Sequence, residues 1–211
     1  MRLDDFKKLP ILGILRHIDI CHVEPLFKII NKSGLKTIEI ALNTVNAFAI
    51  IKEFVEISKG RLVIGAGTVL TVSDLKKALD SGATFVVTPV LIKEVADYCV
   101  KKNIPFFPGA LTPKEIYEAW QSGATMVKVF PASVFSAKYF KEIKGPFEDI
   151  KLMAVGGVNI DNIKDYFLCG ASAVAFGGSI FSRSKLDSKQ FNLIEKDIKK
   201  LVDFIKKSKI F

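Results

Sequence analysis

Residues 106–131 read FFPGALTPKEIYEAWQSGATMVKVFP, from Phe106 to Pro131. This stretch contains one complete strand–helix–strand unit. An apolar run opens at Phe106. Thr112 then offers its hydroxyl as a helix N-cap, Pro113 takes the first helical position, and Glu115 stands three residues after the cap. Ser122-Gly123-Ala124 ends the helix, because glycine readily takes the left-handed conformation that closes a last turn. A second apolar run follows at once, Met126-Val127-Lys128-Val129-Phe130-Pro131.

The same unit recurs along the chain. Runs of this kind begin near Ile11, Thr37, Leu62, Phe85, Phe106, Met126, Leu152 and Ala173. That is eight runs, 20 to 26 residues apart, the length of one βα repeat. Ser81-Gly82-Ala83 and Cys169-Gly170-Ala171 repeat the helix-ending phrase, and Val72–Ser81 places Val72, Leu75 and Leu79 on one helical face. The strands are almost continuously apolar, as parallel strands covered on both faces must be. Eight repeats with no linker predict a single (β/α)8 TIM barrel over residues 1–211. An open doubly wound sheet is the alternative, but no GxGxxG loop follows the first run. A last helix is expected over about Ser188–Lys207, with Leu193, Ile194, Ile198, Leu201, Val202 and Ile205 as its apolar stripe.

Composition narrows the function. With 49% hydrophobic residues in 211, the chain can fill one core and is not disordered. Net charge is +9, but the lysines are mixed with acids and no basic stripe is interleaved with aromatics, so nucleic acid is not an expected partner. No apolar stretch is long enough to span a bilayer and Met1–Asp5 shows no signal-peptide pattern, which predicts a soluble cytoplasmic protein with no membrane partner. Cys21, Cys99 and Cys169 lack CxxC spacing and read as small buried residues in a reducing compartment. Only His17 and His22 are present, both in the first loop, where they read as solvated side chains. Two histidines cannot build a three-ligand zinc site alone, so no metal is expected, and the imine chemistry argued below needs no other cofactor.

In such a barrel the reactive residues sit at the C-terminal ends of the strands. Lys36, Arg61 and Lys151 flank runs at the opposite end. The ionisable residues inside the runs, or ending them, are Arg16, Glu39 and Lys128. Burying an ammonium is costly, and a desolvated lysine has a lowered pKa that leaves a free amine able to attack a carbonyl. Lys128 fits that role or that of a structural ion-pair partner. Glu39, between Ile38 and Ile40, reads as a general acid/base or as the counter-ion of Lys128. Arg16 at a strand end suits a carboxylate or phosphate, or a surface ion pair.

Glycine pairs close the seventh and eighth runs, Gly156-Gly157 and Gly177-Gly178-Ser179. There the backbone can approach a phosphate, or the pairs are simply tight turns. Gly65-Ala66-Gly67-Thr68 adds a hydroxyl at the end of the third run, and Thr88-Pro89 and Phe107-Pro108-Gly109 shape the rim. Together these residues outline an imine-forming lysine, one carboxylate, a phosphorylated carbonyl substrate and no metal. A phosphosugar isomerase or synthase using Glu39 and Lys128 without an imine is the alternative enzyme class.

The phrases IEIALNT, IGAGTVLT, VVTP, FFPGALTP, VKVFPAS, AVGGVN and FGGS occur in that order between Leu9 and about Ser182. In them the chain resembles the 2-keto-3-deoxy-6-phosphogluconate aldolase family, which includes 4-hydroxy-2-oxoglutarate aldolases. The resemblance implies a class I aldolase that cleaves a phosphorylated keto acid in the Entner–Doudoroff manner. It implies Lys128 as the Schiff-base lysine and Glu39 as the general acid/base. It implies Thr68 near the keto-acid carboxylate, Pro89 and Phe130 lining the pocket, and Gly156, Gly157, Gly178 and Ser179 holding the distal phosphate. It also implies a homotrimer. Two positions depart from the phosphogluconate pattern: Asn43 stands where arginine is common, and Val155 where threonine is common. At both, and at ILR and Ser133-Val134-Phe135, the chain is more similar to the phosphogalactonate branch.

Overall fold

The structure is a computed structural model that describes residues 3–208. Met1, Arg2 and residues 209–211, at the two extremes of the expected domain, lie outside the described residues. The strands are β1 (Ile11–Leu15), β2 (Thr37–Ala41), β3 (Val63–Gly67), β4 (Val86–Val87), β5 (Phe106–Phe107), β6 (Gly109–Ala110), β7 (Val127–Val129), β8 (Leu152–Val155) and β9 (Ala173–Phe176). The helices are α1 (Leu3–Lys8), α2 (Val23–Ser33), α3 (Ala47–Ser58), α4 (Val72–Asp80), α5 (Lys93–Lys101), α6 (Pro113–Gln121), α7 (Lys138–Lys144), α8 (Ile163–Leu168), α9 (Arg183–Asp187) and α10 (Phe191–Lys207).

All strand pairs are parallel, in the order β5-β4-β3-β2-β1-β9-β8-β7-β6. The two ends of that order are separated in sequence by Pro108 alone. The fifth run is therefore one strand broken by a proline, which has no N–H to give the ladder. Its carbonyl is still used: Pro108 accepts from the Lys128 N–H at 2.8 Å. Eight strand positions close the (β/α)8 barrel.

Local signals explain the elements. At the start of α6 the Thr112 hydroxyl accepts from the Glu115 N–H, and the Glu115 carboxylate accepts from the Thr112 N–H at 2.8 Å. Gly82, Gly123 and Gly170 end their helices at φ +98°, +87° and +95°. α10 begins at Phe191, three residues later than the expected Ser188, because a separate short helix, α9, takes up Arg183–Asp187. Leu193 is 48% exposed and drops out of the expected stripe, while Ile194, Ile198, Leu201, Val202 and Ile205 are buried against the barrel.

Strand side chains alternate between two packed regions. Ile38, Ile40, Val127 and Val129 point outward into the layer shared with the helices. Phe6, Leu12, Phe85, Val87, Phe107, Met126 and Met153 form a separate cluster inside the barrel. α1 closes its N-terminal end: the Phe6 ring meets Phe107 edge-on at 6.2 Å, and Phe107 meets Phe85 at 5.8 Å. Gly65 is needed here, since a methyl group on it would overlap the Phe85 ring. Of the cysteines, Cys99 is buried as expected, Cys169 is half-buried and Cys21 is exposed.

Candidate active site

The alternation that sends Ile38 and Ile40 outward sends Glu39 inward, and Val127 and Val129 do the same for Lys128. Glu39 is 1% exposed and Lys128 4%. Glu39 lies level with Ile14 on β1 and Gly65 on β3; Lys128 lies level with Gly109 on β6 and Met153 on β8. Gly67 leaves room for the carboxylate, because a Cβ there would come within 2.8 Å of Glu39 Cδ. Gly109 has a matching role, since a Cβ on it would overlap the Pro89 carbonyl.

The two groups influence each other without forming a salt bridge. No ion pair within 4.0 Å joins them among the described residues, and Glu39 Oε2 has no hydrogen-bond partner. The structural ion-pair reading of Lys128 is therefore corrected. Burial pushes the Glu39 carboxyl above its ordinary range, against the opposing pull of Lys128 and Arg16. Burial pushes the Lys128 amine below its ordinary range; Glu39 opposes this and Arg16 adds to it. Both shifts favour the neutral forms, as expected for groups removed from water without a close partner. The Lys128 Nζ stands over the Phe130 ring, 5.1 Å from its centre.

Above Lys128 a cavity of about 380 Å³ opens at the C-terminal end of the barrel. It is lined by Arg16, Lys128, Phe130, Gly156, Gly157, Gly178 and Ser179 of the expected set. Pro89 lines a neighbouring cavity, which shares Phe130 as its wall. Thr68 lines neither cavity; it follows β3 directly, with φ +57°. Arg16 is exposed and has no acidic partner among the described residues, so its surface ion-pair reading is also corrected.

The two glycine loops are tied together. Ser179 donates its hydroxyl proton to the Val158 carbonyl at 2.7 Å, linking the turn after β9 to the turn after β8. Gly156 and Gly157 are left-handed, at φ +99° and +77°, and a Cβ on Gly157 would strike Ser133. Among the described residues, no backbone hydrogen bond outside helices and strands uses the N–H of Gly157, Gly178 or Ser179. Unengaged amides at such a turn form a natural anion cradle.

Sequence reasoning missed several lining residues. Arg183 lies at the cavity wall, at the start of α9. Its signal was legible as a cation a few residues past a glycine pair. His17 also lines the cavity, whereas His22 is 9% exposed, accepts from the Asp19 N–H at 3.1 Å and packs on Phe191. The expectation of two solvated histidines is thus corrected for His22, which fills a gap under α10, whereas His17 is exposed as expected and lines the cavity. None of the fourteen lining residues is acidic, while Arg16, His17, Lys128 and Arg183 are basic. This cavity suits an anion.

A buried lysine and carboxylate beneath a cavity lined by basic residues, in a (β/α)8 barrel, suit an aldolase of the lysine-dependent class. Residues 3–197 match the family model for KDPG and KHG aldolase, and the chain belongs to that family. It is 34% identical over 207 residues to the 2-dehydro-3-deoxy-phosphogluconate aldolase of Haemophilus influenzae, covering 97% of this chain and 95% of that protein. A solved native KDPGal structure superposes with a TM-score of 0.86 at 27% identity, covering 93% of this chain and 94% of that one. KDPG aldolase from Legionella pneumophila, with pyruvate captured as a covalent carbinolamine intermediate, superposes at 0.84 with 25% identity, covering 92% and 93% of the two chains.

Proposed function

We propose that this chain, as one aldolase domain, cleaves a 2-keto-3-deoxy-6-phosphoaldonate to pyruvate and glyceraldehyde 3-phosphate, with Lys128 as the Schiff-base residue. The observation that carries this reading is a lysine amine that is buried, makes no ion pair within 4.0 Å among the described residues, is pushed towards its neutral form and borders an anion-suited cavity. The free amine adds to the C2 ketone of the substrate to give a carbinolamine. Glu39, which burial keeps ready to hold a proton, gives that proton to the departing hydroxyl as the iminium forms. The resulting carboxylate takes the C4 hydroxyl proton while the C3–C4 bond breaks. That electron pair moves onto C3 and the imine nitrogen, which leaves an enamine and frees glyceraldehyde 3-phosphate. Protonation at C3 and hydrolysis then release pyruvate and restore the amine. The iminium itself takes up the developing charge.

Gly156, Gly157, Gly178 and Ser179 hold the phosphate through their backbone amides, and Arg16 takes one of the two anionic ends. Thr68, at the C-terminal end of the barrel just after β3, takes the keto-acid carboxylate, and Pro89 and Phe130 form the apolar wall. The substrate has the galactonate configuration at C4, a reading supported by Val155 in the cavity lining and Asn43 after β2. The working form is a cytoplasmic homotrimer; exposed Val134 and Phe135 beside the site and three free cysteines support this.

Borohydride reduction in the presence of pyruvate tests the imine. The expected result is a mass adduct on Lys128, and a folded protein with no adduct would falsify the scheme in favour of an acid/base isomerase or synthase. Comparing the two C4 epimers, with 4-hydroxy-2-oxoglutarate alongside, tests the configuration. Faster cleavage of the galactonate epimer is expected, and equal rates overturn the preference.

A further inference from the structure

His17 is a non-glycine residue in the left-handed region, at φ +53°, on the rim of the cationic cavity. A histidine rests there only where its surroundings hold it, and such outliers concentrate at functional sites. What holds this one is visible. The His17 N–H donates to the Thr44 hydroxyl at 3.0 Å, across 27 positions of sequence. Thr44 is buried and belongs to the loop leaving β2, the strand that carries Glu39. Its own N–H donates to the Ala41 carbonyl at 2.9 Å, which fixes it to the end of that strand. The bond therefore joins the first and second strand-end loops, and it sets where Arg16 and His17 stand relative to the two glycine loops.

The cavity these residues face has no acidic lining residue and has unengaged amides on the Gly157, Gly178 and Ser179 side. We propose that His17 is a further substrate-binding residue, held left-handed by Thr44 so that its imidazole and Arg16 reach the substrate phosphate from the β1 side, next to the glycine loop that follows β9. Imidazole N–H groups make charge-assisted bonds to phosphate oxygens. Thr44, which touches no substrate, is a positioning residue. The inference rests on the aldolase reading above and adds to it a binding group and the clamp that sets it.

His17→Gly tests it with little risk to the fold, since glycine adopts φ +53° without strain. The expected result is a rise of about tenfold in KM for 2-keto-3-deoxy-6-phosphogalactonate, the effect of losing one charge-assisted bond. The rise for unphosphorylated 4-hydroxy-2-oxoglutarate should be far smaller. A merely structural histidine predicts the reverse, an unchanged or lowered KM, and that result overturns the proposal. Thr44→Val should reproduce the phosphate-specific rise, with Thr44→Ser restoring the wild-type value. Equal behaviour of the valine and serine variants removes the clamp. Pyruvate trapping on Lys128 in the wild type separates the two levels: without an adduct the aldolase reading fails, and with an adduct but an unmoved KM only this inference fails.

Discussion

The two ends of the barrel are built from opposite materials. The N-terminal end is shut by Phe6 packed on Phe107, with Phe85, Met126 and Met153 around it. The C-terminal end has Glu39 and Lys128 without a close partner and glycines where side chains would otherwise fill space. Apolar burial at the first end stabilises the fold. Burial of ionisable groups at the second costs stability and shifts both groups towards their neutral forms. Stability and chemistry are thus assigned to different ends of one set of strands, which predicts that they can be altered separately.

The largest expected effect is at the reactive end. Lys128→Met should lower cleavage by at least about 10⁴-fold, as removal of a covalent nucleophile does. Steady-state assay against both epimers checks it, and retention of more than a small fraction of activity breaks the comparison. Next in size is the closed end. Phe6→Ala should cost about 3–5 kcal/mol of stability in denaturant unfolding, the usual range for a buried phenylalanine, with kcat little changed. A large fall in kcat at full folding would show that the two ends are coupled.

The smallest effect is a pH dependence. The folded-state pKa of Lys128 lies below the ordinary 10.5, so folding favours the neutral amine. The stability this group contributes is fully present above 10.5 and is lost as pH falls through the lowered folded value. Lys128→Met removes that loss. Its unfolding free energy relative to wild type should improve as pH is lowered from 10.5 through that window and then level off. Chemical denaturation at several pH values measures it, and a difference that does not vary with pH removes the desolvation account.

Much of this was legible in the chain. The helix start at Thr112, the left-handed Gly82, Gly123 and Gly170, and the strand runs all depend on residues within a few positions of one another. That Glu39 and Lys128 stand inside apolar runs was legible for the same reason, while their inward direction came from the alternation seen in the structure. The pairing of Phe130 with Pro89 across two cavities and the difference between His17 and His22 were not legible. Each depends on which distant loops meet. His22 looked no different from His17 until α10 placed Phe191 beside it. The break in the fifth strand was visible as Pro108, but that its carbonyl would hold Lys128 depends on the register of β6 with β7.

By itself, then, the sequence determined the repeat, the strand runs and the residues able to do chemistry, because hydrophobic period and capping are short-range properties. The tertiary structure alone decided that Glu39 and Lys128 share one interior without touching, and that Thr44 holds His17. It also decided that Arg16, His17, Lys128 and Arg183 line one cavity whose lining includes no acidic residue among the described residues. Closing the barrel sets which distant strand ends become neighbours, and the dielectric around a charge depends on those neighbours rather than on adjacent residues in the chain.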